Sequence, residues 1–322
     1  MTAVLPPVIR DMKPLKRSND LVGDPQALFQ RIAEDGYVYL QGVLDPDAVA
    51  RLRGKYLDFL KGLGVIDAGA TEPIWNGADL SDYPLKAEPL HAAKVWRDFV
   101  REPAIDAFFT RLVGGKPFWI PIVEYRVTAP SAEAWPDPFV QRHQDGFYNQ
   151  GITFVTCWVP LMEVRADHGG LAIAEGMNTA GLLHDVNNPP QFQIPDGAIP
   201  DGAWRRSDYQ PGDIVIFNPD IPHSGLPNHS DRFRLSMDIR IAPPRTVELP
   251  VLGEIVEVLP DALVVRNHDG AEVRVRVDAD TYCRWQIGKR LSHEEMLAKL
   301  APGMEILASV RDGHAVMMRP PR

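Results

Sequence analysis

Residues able to do chemistry are concentrated in two short stretches of this chain. FVQRHQDGFYN, residues 139–149, carries His143 and Asp145, and NPDIPHSGLPN, residues 218–228, carries His223. On an extended segment residues i and i+2 project to one face, so His143 and Asp145 are expected to act together. His223 follows an apolar run, Ile214 to Phe217, and a turn, which makes it a candidate third ligand. Two histidines and one carboxylate form a facial triad that leaves positions open on iron(II) for a co-substrate and oxygen. Zinc enzymes use the same donors, so the ligands alone do not select the metal. Arg234 bears on that choice. It heads the next alternating strand, in RFRLSMDIRI, where a guanidinium can grip bidentately the far carboxylate of a dicarboxylate chelating the metal. Ser236 shares its strand parity and offers a hydroxyl. Arg232 and Arg240 share it too, so parity does not single out one arginine.

Other polar groups have plainer readings. His168 in ADHGGL reads as a turn residue and His229 as a solvated loop side chain. Arg126, Arg142, Arg205 and Arg206 read as solvated charges, any of which would hold an anionic substrate if it lay at the mouth of a site. Phe147 and Tyr148 take opposite faces if the strand continues through them. Trp158 fits sandwich core and pocket wall equally. Cys157, with no evident basic neighbour, reads as a small buried side chain.

The elements that must position these groups are legible in outline. DPQALFQRIAEDGYVYLQGVL gives a capped helix and then a strand, DPDAVARLRGKYLDFLKGLG a second capped helix, and Leu90 to Val113 keeps helical spacing. From Pro117 to Ile241 the texture is β. FWIPIVEYRV, ITFVTCWVPL, GGLAIAEG, DIVIFN and RFRLSMDIRI are separated by Gly, Pro, Asn and Asp clusters, as in a sandwich or jelly roll. The interruption at 178–210 is too long for a hairpin and is the candidate lid over the site. Beyond about residue 245 the short runs LGEIVEVL, ALVVRN, AEVRVRV and HAVMMRP, the turn HDG and the capped helix SHEEMLAKLAPG predict a small β-rich, barrel-like module. Two domains are therefore expected, 1–245 and 246–322.

Taken together, the motifs resemble those of the phytanoyl-CoA dioxygenase family of iron(II)- and 2-oxoglutarate-dependent oxygenases, over roughly residues 29 to 242. DGYVYLQGVLDPDAVARLR is similar to the family's opening helix–strand–helix and HQDGFY to its first ligand motif. TCWVPLMEVRADHGGLAIAEG resembles its central block, and YQPGDIVIFNPDIPHSGLPNHSDRFR its distal histidine–arginine block. The resemblance implies a double-stranded β-helix of cupin type, with N-terminal helices packed on it. It also implies His143, Asp145 and His223 as iron ligands, Arg234 as the 2-oxoglutarate anchor and Trp158 in the co-substrate pocket. The implied reaction is oxidative decarboxylation of 2-oxoglutarate by O2 to succinate and carbon dioxide, coupled to hydroxylation of a small molecule. Where relatives read PGSH this chain has AEGMN. Gly225 stands where many relatives place a serine, which leaves Ser224 or Ser236 as substitutes. Related halogenases replace the carboxylate ligand by a small residue, and Asp145 argues against that chemistry.

Composition narrows the remaining classes. The chain has 322 residues, a formal charge of −9 and 45% hydrophobic residues. Nucleic-acid binding needs a concentrated cationic stripe, and none is present. Two cysteines supply neither a disulfide framework nor a thiolate zinc site. No apolar run is long enough to span a bilayer, and the N-terminus interrupts any signal-like core with Pro and charge. These features predict a cytoplasmic protein with a small-molecule substrate. The C-terminal module is expected to pack or to make homo-oligomers. A zinc hydrolase and a non-catalytic binding protein on the same barrel are the rival readings.

Overall fold

The computed structural model describes residues 11–321 except 85, 132–138, 140, 189–191, 247 and 287–288. The first ten residues and part of the 178–210 segment thus lie outside the description. Asp24 caps the helix Pro25–Asp35 by accepting the Ala27 N–H, and Asp45 caps Pro46–Gly62 through Ala48. Each cap contributes about 1 kcal/mol. The second helix buries Val49, Leu52, Tyr56 and Leu60, and such burial is worth roughly 1.5–3 kcal/mol for each large apolar side chain. The helical stretch that follows is three short helices, Glu88–Ala92, Val95–Arg101 and Pro103–Val113. The last break falls at Glu102, whose ψ of 133° is the extended conformation that a following proline imposes.

Eight strands form the first β unit. They are β1 (Tyr37–Leu40), β2 (Trp119–Thr128), β3 (Val155–Pro160), β4 (Gly170–Ala174), β5 (Trp204–Arg205), β6 (Ile214–Phe217), β7 (His223–Leu226) and β8 (Arg234–Ile241). One antiparallel sheet runs β1-β6-β3-β8-β2 and the other β5-β4-β7, to which His143 adds one antiparallel bridge opposite His223. With that bridge counted, the segments from β2 to β8 cross between the sheets in the manner of a jelly roll. The fold is the expected double-stranded β-helix with N-terminal helices. Alternation along β8 divides its roles. Leu235, Met237, Ile239 and Ile241 enter the core shared with the helices, so Arg234, Ser236, Asp238 and Arg240 take the opposite face.

The C-terminal module comprises β9 (Val251–Leu259), β10 (Ala262–Asn267), β11 (Glu272–Arg276), β12 (Tyr282–Gln286), β13 (Lys289–Leu291), β14 (Glu305–Arg311) and β15 (His314–Arg319). The order β11-β10-β9-β14-β15, closed by a parallel β11–β15 contact at Arg276 and His314, makes a five-stranded barrel. The helix His293–Lys299 carries a Ser292–Glu295 capping box. EILASVR, which becomes β14, has no polar–apolar alternation because both of its faces are covered. Ile306 and Ala308 line the barrel core, while Leu307 joins Ile120, Ile122, Ile152, Phe154, Leu252 and Met317 in a cluster between barrel and jelly roll. Among the described residues no helix is long and apolar enough to cross a membrane.

Candidate metal centre

Two backbone hydrogen bonds of 2.9 Å between His143 and His223 set the two histidines side by side, with ring centroids 4.2 Å apart. The chain stays extended through Gln144 and then turns into a four-residue helix, Asp145–Tyr148. The expected extended strand therefore ends one residue early, yet Asp145 still faces its partner, with Oδ1 3.7 Å from His143 Nε2. His143, Asp145 and His223 offer ligand atoms that all lie within 4.8 Å of one another.

The bonds around these groups fit a divalent metal. His143 Nδ1 lies 2.8 Å from the Gln141 carbonyl and His223 Nδ1 3.1 Å from that of Ile221. Carbonyls only accept, so each Nδ1 carries the proton and each Nε2 presents a lone pair. Asp145 Oδ2 accepts from Thr156 Oγ1 at 2.6 Å and from Arg240 Nη2 at 2.7 Å, leaving Oδ1 for a cation. Burial and the neighbouring His223 push His143 down to about 3, against the pull of Asp145. Burial lowers His223 as well. Burial opposes ionisation of Asp145, but Arg240, both histidines and Thr156 outweigh it and hold the carboxyl far below its ordinary range. All three side chains are in the metal-binding protonation state near neutrality.

The same cavity, between the two sheets, is also lined by Arg126, Thr128, Trp158, Phe217, Arg234 and Ser236. Arg234 is buried and donates through Nη1 to the carbonyls of Leu226 (2.6 Å) and His168 (3.0 Å) and through Nη2 to Thr128 Oγ1 (3.0 Å). Its Nε has no partner, and among the described residues no carboxylate pairs with it. Burial, with Arg126 and Arg206 nearby, pushes it down to about 10, so it remains a cation. Gly169 lets it pass, because a Cβ there, at φ +78°, would meet Arg234 Nη1 at 2.8 Å and two carbonyls closer still. Trp158 Nε1 donates to Ser236 Oγ at 3.1 Å, so Trp158 is at once core and cavity wall. Ser224 alternates with the lining residues His223 and Gly225 and takes the opposite face of β7, where it is fully buried.

Several plain readings change. Of the arginines sharing β8 parity, Arg232 pairs with Asp231 outside the site and Arg240 braces Asp145. Arg126 lines the cavity and pairs with Asp238 at 2.9 Å, Arg206 is buried and donates to the Gly169 carbonyl, and Arg142 and Arg205 form ion pairs with Asp196 and Glu175. None of the four is a freely solvated charge. His168 is buried in its turn and His229 half-buried against the Ser131 carbonyl. Phe147 and Tyr148 share the helical turn with rings 5.1 Å apart, since the strand does not continue. Cys157 is buried, as expected.

Sequence reasoning gave Arg240 only as a parity alternative to Arg234 and missed Thr156, Gln144 and His184. Gln144, between two candidate ligands, bonds Gly181, Leu183 and Asp220. His184 accepts from the Gln144 N–H at 2.9 Å and stacks on Phe147 at 4.0 Å. The base of the candidate lid is thus tied to the ligand turn. Only the i+6 spacing of Arg240 from Arg234 on one strand face signalled any of this.

A jelly roll with a His–Asp–His cluster and a buried arginine in the cavity that both histidines line is the arrangement expected of the non-haem iron oxygenase class. The phytanoyl-CoA dioxygenase (PhyH) profile matches residues 32–236. 1-Deoxypentalenic acid 11-beta-hydroxylase of Streptomyces arenae is 31% identical over 239 residues, 69% of this chain and 83% of that protein. The Streptomyces exfoliatus enzyme of the same name is 30% identical over the same coverage. Among solved structures, EvdO2 of Micromonospora carbonacea var. aurantiaca in complex with 2-oxoglutarate is similar at 19% identity and a TM-score of 0.48, over 68% of this chain and 91% of that one. This chain belongs to the phytanoyl-CoA dioxygenase family of iron(II)- and 2-oxoglutarate-dependent oxygenases.

Proposed function

We propose that this enzyme hydroxylates an unactivated C–H bond of a small organic metabolite or natural-product intermediate, with succinate and carbon dioxide as co-products. The observation that carries this reading is Arg234, a buried cation with only neutral partners, in the cavity that both triad histidines line. A dicarboxylate co-substrate gives that cation a partner, and a hydrolytic metal site has no need of one. His143, Asp145 and His223 would hold the iron, and Arg234 with Ser236 the distal carboxylate of 2-oxoglutarate. When bound, iron and co-substrate supply the oxidant for C–H cleavage.

The chain's own work is positioning. The Nδ1 bonds fix both imidazole rings, Arg240 and Thr156 fix the carboxylate, and Trp158 holds the Ser236 hydroxyl. Tyr148, with its ring 6.2 Å from that of His143, and the stacked Phe147–His184 pair offer an apolar wall for substrate. The curated relatives are named for hydroxylating 1-deoxypentalenic acid, which supports a small organic acid as substrate here.

The test is anaerobic addition of iron(II) and then 2-oxoglutarate to metal-free protein. The expected result is a weak visible metal-to-ligand charge-transfer band, lost in His223→Ala and Arg234→Ala. Folded wild-type protein without the band would favour a zinc hydrolase or a binding protein instead. Succinate release then screens candidate substrates.

A further inference from the structure

The C-terminal barrel lies beyond the family match, which ends at residue 236, yet it reaches the turn that carries Asp145. Three side chains of the C-terminal module bond this segment, Ser309 and Arg319 from barrel strands and Arg284 from β12 beside them. Arg319 Nη1 donates to Asn149 Oδ1 at 2.9 Å, and Arg284 Nη1 donates to the same oxygen at 3.3 Å and to the Tyr148 carbonyl. Ser309 Oγ donates to the Gly151 carbonyl. On the other side of the same amide, Asn149 Nδ2 donates to the Asp145 carbonyl at 2.9 Å. One buried side chain thus joins the barrel to a metal-ligand residue.

The turn needs such support. Asp145–Tyr148 is a single helical turn, too short to be stable by its own hydrogen bonds. Thr156 and Arg240 fix the Asp145 carboxylate but not its backbone. Two guanidinium groups converging on Asn149 Oδ1 dictate the amide's orientation, since the reversed amide would set N–H against N–H. That orientation directs Nδ2 at Asp145. Arg284 also lies over the Tyr148 ring, 5.6 Å from its centroid, so the same arginine steadies the aromatic wall beside His143. Asn149, Arg284 and Arg319 are all buried. The approach is close enough that a Cβ on Gly151, at φ +85°, would press on Val316 at 3.3 Å.

We propose that the C-terminal module, barrel and β12 together, is a working part of the metal centre. Through Arg284, Arg319 and Asn149, all positioning residues, it holds the Asp145 turn in ligating geometry. The proposal rests on the assignment of Asp145 as a metal ligand.

The decisive variant is Asn149→Asp in the full chain. It keeps an oxygen acceptor for both arginines and deletes the N–H that reaches Asp145. Cobalt(II) affinity of metal-free protein, read by anaerobic titration alongside thermal unfolding, is expected to fall 10- to 100-fold, the range for lost support of a ligand, with no loss of thermal stability. Arg284→Met and Arg319→Met are expected to weaken cobalt(II) binding about 10-fold and to lower the unfolding midpoint. Arg274→Ala, on the exposed barrel surface, should match wild type. Folded Asn149→Asp protein that binds cobalt(II) within about two-fold of wild type overturns the proposal, whether or not the arginine variants fold. Wild-type protein that takes up no cobalt(II) overturns the metal-ligand assignment and this inference together.

Discussion

Arg234 and Arg240 sit on the same face of one strand, both buried, and only their partners differ. Arg240 Nη2 meets the Asp145 carboxylate at 2.7 Å, whereas Arg234 meets two carbonyls and a hydroxyl. The Arg240 charge is balanced within the fold, whereas that of Arg234 is not, and this difference is what supports Arg234 as the proposed anchor of the co-substrate. The sharpest way to break the contrast is Arg240→Met, which leaves the buried Asp145 carboxylate without its ion-pair partner and with the Thr156 hydroxyl still donating to Oδ2. Removing one partner of a buried pair costs about 3–5 kcal/mol, so chemical denaturation should register a loss of that order and cobalt(II) titration a weakened site.

Arg234→Met should behave in the opposite way. It removes a cation that has no carboxylate, so stability should hold or rise, while 2-oxoglutarate affinity falls on the order of 100-fold through loss of charge-assisted hydrogen bonds worth about 1.5–3 kcal/mol each. Calorimetric titration of the metal-loaded protein with 2-oxoglutarate reads this directly. Equal destabilisation by the two methionine variants would show the contrast to be false. In the same vein, 2-oxoglutarate should raise the unfolding midpoint of wild type and leave that of Arg234→Met unmoved.

That pair of arginines also marks how far the sequence could be read. Jelly roll, helices and the His–Asp–His cluster were legible because caps, Gly and Pro punctuation and alternation are local signals, and HQD and PHSG set candidate donors at close spacing beside extended backbone. Arg240 was visible only as one of three arginines of equal parity. Its partner, Asp145, is distant in sequence, and the pairing depends on the turn at Asp145 that parity did not foresee. Arg126 and Arg206 read as solvated because nothing local marks a charge whose partner, a carboxylate or a carbonyl, comes from a distant segment. β14 was missed because its two faces meet two different cores, which removes the alternation a half-buried strand shows. Contacts from the barrel to Asn149 are equally nonlocal.

The histidines supply a third kind of buried group, held neutral rather than paired. His184 accepts from the Gln144 N–H and is pushed down to about 4 by burial, whereas in the unfolded chain it titrates near about 6.5. Between those values the unfolded chain binds more protons, so stability rises with pH through this window. The contribution is complete above about 6.5 and is lost as pH falls toward 4. His143 and His223, also lowered by burial, and Asp145, held low in the fold but ordinary in the unfolded chain, steepen the same slope in wild type and in a His184 variant alike, so only the difference between them reports His184. Unfolding free energies measured from pH 4 to 7 should therefore show a shallower slope in His184→Gln than in wild type. The same slope in both proteins would mean that His184 does not contribute.

Ser236 lies between Arg234 and Asp238 on the same strand face and tests the comparison at its finest. Its oxygen accepts the Trp158 indole N–H, which leaves the hydroxyl hydrogen to donate into the cavity that Arg234 shares. A hydroxyl serving only the indole would affect stability alone, and one that also serves the co-substrate would affect binding. Ser236→Ala strands the buried indole N–H and should cost about 1 kcal/mol of stability. If the hydroxyl also donates to 2-oxoglutarate, affinity should fall roughly five-fold, the equivalent of one neutral hydrogen bond. Titrating Ser236→Ala and Arg234→Met in parallel orders the two contributions. An unchanged affinity in Ser236→Ala would assign the serine to the tryptophan and leave Arg234 as the strand's sole grip on the co-substrate.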